Sequence, residues 1–142
     1  LALIPLVMVG MNLVYAMCAY PFGKLADRVN HRRLLAAGLV MLIASDIVLA
    51  LNMHWLGLIF GIMLWGIHMG MTQGLLTTMV ADHAPKNLLG TAFGIFNLAS
   101  GLAMLVASLV AGYLWDQMGA ETTFLAGATF AGLALMGLLR RI

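Results

Sequence analysis

From Leu88 to Trp115 the chain carries no charged residue at all, and from Leu34 to Leu51 only Asp46 interrupts an otherwise uncharged run. A helix needs about 20 mostly apolar residues to cross the hydrocarbon core of a bilayer, and both runs are about that long or longer. Lipid offers the backbone no hydrogen bonds, so only helices and closed barrels can span it. The runs are too long for strands and lack period-two alternation, which leaves helices. Composition agrees with this reading. Of 142 residues, 63% are hydrophobic and 8% charged, with a mean hydropathy of +1.04, whereas soluble domains are about 25% charged.

The expected fold class is an all-α membrane protein of five transmembrane helices, at about residues 1–19, 34–51, 55–80, 88–115 and 123–139, in a single partial domain. The connections are a charged loop, then "NMH", "ADHAPKN" and "DQMGAE". Leu1 opens the chain inside an apolar run, with neither the basic start nor the small-residue cleavage site of a signal peptide. A piece of a longer chain is therefore expected. Cys18 is the one cysteine, so no internal disulfide can form.

Where the charges fall matters more than their sum. Five spans place the first loop, the third loop and the C-terminus on one side of the membrane. That side holds Lys24, Arg28, Arg32, Arg33, Lys86, Arg140 and Arg141, which is every Lys and Arg in the chain, while Asp116 and Glu121 lie on the other. Lys and Arg concentrate in cytoplasmic loops, so the basic side is expected to be cytoplasmic, in a bacterial inner membrane. Trp55, Tyr113 and Trp115 mark the opposite interface as an aromatic belt.

A basic loop could serve as an orientation anchor and nothing more. The order of its residues says more than that. Gly23-Lys24-Leu25-Ala26-Asp27-Arg28-Val29-Asn30-His31-Arg32-Arg33 resembles the signature loop of the major facilitator superfamily, Gly-x-Leu-(small)-Asp-Arg-(apolar)-Gly-Arg-Arg. Asn30 stands where Gly is usual, and Asn is the side chain that best tolerates a left-handed backbone. His31 stands where Arg is usual. "ADHAPKNLLGTAFG" and "AGYLWDQMGAETTF" are similar to two later connections of the same family. The resemblance implies the eighth to twelfth helices of a twelve-helix transporter, with the N-terminal half of the same chain missing here. It further implies that the loop, through Gly23, Asp27, Arg28, Arg32 and Arg33, latches the two halves together on the cytoplasmic side. Asp82 lies where a helix C-terminus disfavours an acid, and pairing with Arg28 or Arg33 is expected to compensate it.

Within the spans, small and polar residues fall on defined faces. Gly66, Gly70 and Gly74 repeat along one face of the third span, a surface for close helix packing. Trp65, His68 and Thr72 share the nearly opposite face, which by resemblance lines the central cavity. His68 is a candidate proton carrier, or else a neutral ring bonded to a neighbouring helix. In the fourth span Gly90, Gly94 and Gly101 form a second packing stripe. Asn97 on that stripe either packs or touches substrate. Asp46 bonds a neighbouring helix, reaches the outer surface through water, or carries a coupled proton. Asn12 and Tyr15 are further cavity candidates, and Pro5 is expected to kink the first span.

The function expected from all this is secondary transport of a small solute by alternating access, coupled to protons. A non-transporting membrane sensor or assembly module on the same helices is the alternative. His54, His68 and His83 fall at different depths, so no metal site is expected, nor an enzyme, a cofactor or a nucleic-acid partner.

Overall fold

Apolar runs become α-helices throughout the computed structural model, which describes residues 4–51 and 54–140. Residues 1–3 of the first expected span, Asn52 and Met53 of the second connection, and Arg141 of the basic side lie outside the described residues. Four helices are present among those described: α1 (Ile4–Ala26), α2 (His31–Leu51), α3 (Trp55–His83) and α4 (Leu89–Leu139), with a 3-10 turn at Lys86–Leu88 before the last. Each is long and apolar enough to cross a membrane.

The fourth helix holds two of the expected spans. Its 51 residues would run to roughly 77 Å if straight, at about 1.5 Å per residue, far beyond a hydrocarbon core of about 30 Å. Gly119 breaks it, with φ 85° and ψ 177°, a backbone region open only to glycine. Leu102 before the break and Phe130 after it line one groove of about 620 Å³, so the two arms fold back side by side. The edge-to-face contact of Trp115 with Phe124, 6.1 Å between ring centres, closes the bend. The connection "DQMGAE" is thus helical on both sides of a single-residue turn, not the loop expected from its polarity.

Other boundaries also move. α1 continues past Ala19 to Ala26, so Gly23 and Lys24 are helical and the signature loop shrinks to residues 27–30. Pro5 falls in the first turn of α1, where no intrahelical N–H bond is lost, and Pro21 is the proline inside the helix. Asn30 is not left-handed, since no non-glycine residue described has a positive φ. Instead its Oδ1 accepts the Arg32 backbone N–H at 2.9 Å, and its carbonyl accepts Leu34 N–H at 3.2 Å. Asn30 therefore caps α2, using a side chain that the usual glycine lacks.

Packing follows the small residues. α3 lies between α1 and α2, and the second arm of α4 lies against α2. A Cβ on Gly66 would come 2.9 Å from the Met11 carbonyl, and one on Gly70 would come 2.7 Å from Cys18 Cβ. Only glycine allows α1 and α3 to approach this closely. The buried cluster of Ala26, Leu34, Met71 and Leu75 sits directly beneath the 27–30 loop. It gathers the loop and the C-terminal end of α3 at one end of the bundle.

Candidate functional site

The motif loop is held from below. Ala26 and Leu34, at its two edges, are buried against Met71 and Leu75 of α3. Asp27 N–H is bonded to the Gly23 carbonyl at 3.3 Å, and Val29 N–H to that of Leu25 at 3.0 Å. A groove of about 330 Å³ opens beside the loop between α1 and α3. Tyr15, Gly23 and Asp27 line it from α1 and the loop, and Gly70, Gly74 and Thr78 line it from α3. Small residues thus hollow out a slot with one acid at its rim. The side chains of Arg28 and Arg33 are exposed. No ion pair joins Asp82 to Arg28 or Arg33; all three are exposed, and an exposed pair gains about 0–1 kcal/mol at most.

The middle of α3 carries a polar constellation. His68 Nδ1 lies 2.7 Å from the Gly38 carbonyl of α2, and Thr72 Oγ1 donates to the His68 carbonyl at 2.9 Å. Thr72 is only 6% exposed, and a Cβ on Gly38 would stand 2.5 Å from its Cγ2. His68 and Thr72 therefore meet α2, whereas Trp65 on the same helix is 39% exposed. The structure does not gather the three side chains on one open wall. One turn or more further along, fully buried Ser45 of α2 donates to the Gly61 carbonyl of α3 at 2.8 Å.

Asp46 stands apart from that group. It is 8% exposed, and a Cβ on Gly127 would lie 2.7 Å from its Oδ2, so its carboxyl fills the seam between α2 and the second arm of α4. Asn12 Nδ2 donates to Met8 O at 2.8 Å within its own helix, and Asn97 is exposed on α4. Gly74, Gly90, Gly94 and Gly101 have nothing within 4 Å of an added Cβ. Among the described residues no group of three or more His, Cys, Asp and Glu is arranged to hold a metal ion.

The helical pattern places Gly61 on the face of Trp65, His68 and Thr72 but does not single out Gly38, Ser45 or Gly127, which also carry close helix contacts. A glycine or serine isolated within a leucine-rich helix was the available signal.

The sequence profile of the Major Facilitator Superfamily matches residues 1–142. An uncharacterized MFS-type transporter of Methanocaldococcus jannaschii is 34% identical over 128 residues, covering 88% of this chain and 32% of that protein. A probable sugar efflux transporter of Mannheimia succiniciproducens is 26% identical, covering 89% of this chain and 32% of its own length. A multi-drug resistance efflux pump of Streptococcus pneumoniae is 29% identical over 115 residues, covering 80% of this chain and 28% of the pump. The chain thus spans about a third of the length of these relatives. With the whole chain matched by the family profile, and with apolar helices joined by the Gly23–Arg33 loop, this integral membrane protein belongs to the Major Facilitator Superfamily.

Proposed function

We propose that the chain supplies the last helices of a secondary transporter that moves a small organic solute across a cytoplasmic membrane by alternating access, driven by protons. Family membership over the full chain is the observation that carries this reading. Two of the relatives are named as efflux proteins, and outward transport is the direction we propose. In this reading the first loop and the C-terminus face the cytoplasm, an orientation supported by the concentration of Lys and Arg on that side. The slot at Asp27 is where the missing half docks. The rim carboxyl and the small residues Gly23, Gly70 and Gly74 suit a helix end that comes and goes.

Full-length protein in proteoliposomes, with an imposed pH gradient and candidate sugars and drugs as solutes, tests this. Asp27→Asn keeps the shape of the rim and removes its charge, so turnover should collapse while expression survives. Normal turnover would reduce the loop to an orientation anchor. Absence of any gradient-driven flux with a correctly folded full-length chain would favour a sensor or assembly module instead. Among cavity candidates, a cysteine at Trp65 should react with a soluble thiol reagent and be protected by substrate. A cysteine at Thr72 should stay unreactive, because that position is covered by α2.

A further inference from the structure

A pair of hydrogen bonds between described residues of α2 and α3 is reciprocal. His68 of α3 meets the carbonyl of Gly38 on α2, and Ser45 of α2 meets the carbonyl of Gly61 on α3. Gly38 and Ser45 are seven residues apart, as are Gly61 and His68. Seven residues bring a helix back to nearly the same face two turns on. On antiparallel helices the two bonds are therefore two rungs of one ladder, each built from a polar side chain and a glycine carbonyl. The glycines permit it. A Cβ on Gly38 would strike Thr72, and one on Gly61 would come 2.5 Å from the end of the Leu49 side chain. A helix carbonyl has a second lone pair to share beyond its own i+4 bond, so neither helix loses a backbone bond.

Chemistry then decides the histidine tautomer. A carbonyl oxygen only accepts, so at 2.7 Å the hydrogen must be on Nδ1. A neutral imidazole has one donor and one acceptor, and the acceptor is then Nε2. Among the described residues, the other titratable side chains of the apolar segments around α3 are Tyr15, Cys18 and Tyr20 on α1, Asp46 on α2 and Tyr113 on α4. None of them has a hydrogen bond to the ring.

We propose that Gly38 is a positioning residue: its carbonyl holds His68 in the Nδ1–H form inside a two-rung α2–α3 clasp, leaving Nε2 as the ring atom that receives a proton or a donor group of the solute. The clasp survives either charge state of the ring, because Nδ1 donates in both. α2 and α3 accordingly move as one body, and Nε2 changes partners without loosening them. The role given to Nε2 rests on the transport reading above; the clasp does not.

Nitrogen NMR of full-length protein in lipid bilayers, labelled in its histidine rings, reads the tautomer directly. The His68 signal is assigned by its loss in His68→Asn. The expected result is a neutral His68 with its hydrogen on Nδ1; a hydrogen on Nε2 would overturn the proposal. Two substitutions provide a second arm. Asn carries an amide nitrogen the same number of bonds from Cα as Nδ1, whereas in Gln it is one bond further. His68→Asn should keep an unfolding midpoint near wild type while His68→Gln falls to the level of His68→Ala. Equal loss in all three would also overturn the clasp. Transport by His68→Asn should drop about tenfold or more, the effect of one lost hydrogen bond or proton site. Normal transport in that variant, with Nδ1–H confirmed in the wild type, would refute the role of Nε2 and leave the transport reading intact.

Discussion

Glycine carries much of the specific contact in this chain, but only at some positions. Gly38 is among the most constrained, since an added Cβ would meet the branched side chain of Thr72, whose hydroxyl is already bonded to His68 O. Gly38→Ala should cost about 1–3 kcal/mol, the usual penalty for overpacking, measured as a lower unfolding midpoint in detergent. Ser45→Ala removes one interhelical bond and should cost about 1 kcal/mol, within the range for such bonds in membranes. Gly127 offers a test with an internal control. Gly127→Ala should destabilise because its Cβ would press on Asp46 Oδ2, and Asp46→Ala should relieve that effect. A double-mutant cycle should give a coupling of about 0.5–3 kcal/mol, and strict additivity would mean that the two groups do not touch.

Elements in this protein end where the backbone demands it, and polarity is a weaker guide. "DQMGAE" has the composition of a loop, yet Asp116, Gln117 and Glu121 are helical and only Gly119 leaves the helix. At its positive φ a Cβ is strained whatever the surrounding space. Gly119→Ala should cost about 1–3 kcal/mol and splay the two arms of α4. Loss of the Trp115–Phe124 contact would report this as a shift in tryptophan fluorescence. Unchanged stability and emission would show that the bend tolerates a side chain. Asn30 illustrates the opposite case. Replacing the usual glycine, it gains a capping bond to Arg32, so Asn30→Ala should cost about 1 kcal/mol and Asn30→Gly only a few tenths.

At the level of the whole molecule, one end gathers the basic residues. The 27–30 loop and the C-terminal end of α3 share the buried cluster at Ala26, Leu34, Met71 and Leu75. α4 starts just beyond the C-terminal end of α3, and its second arm folds back beside the first after Gly119, which brings Arg140 toward that same end. Cysteines at Arg32 and Gln117, in a Cys18→Ser background, should therefore label from opposite faces of the membrane. Labelling of both from outside would refute the orientation. Much of the apolar surface has no partner in this chain; Met104, Leu105 and Leu109 on α4 are 70%, 57% and 67% exposed. Residues 1–142 alone should show no saturable uptake into vesicles, since about two thirds of the relatives' length lies elsewhere. Uptake by this piece alone would mean that copies complete one another.

Class, the apolar helical segments and the signature loop could be read from the chain itself, because hydropathy, length and charge order are properties of residues in sequence. The structure, by contrast, merges two of the five expected spans into one helix bent at Gly119. A run without charge has one way to cross lipid, and Lys and Arg have one preferred side. Faces were harder. Helical angles separate Gly66 and Gly70 from His68 and Thr72, and the structure keeps them apart, against α1 and α2 respectively. What each face meets depends on which helix lies beside it, and periodicity holds no information about neighbours. The partner of His68, the seat of Asp46 against Gly127 and the single-residue bend at Gly119 were decided only by tertiary structure. Each depends on an approach of a few ångströms between residues far apart in sequence, or on one dihedral angle that a glycine can adopt and the sequence does not require.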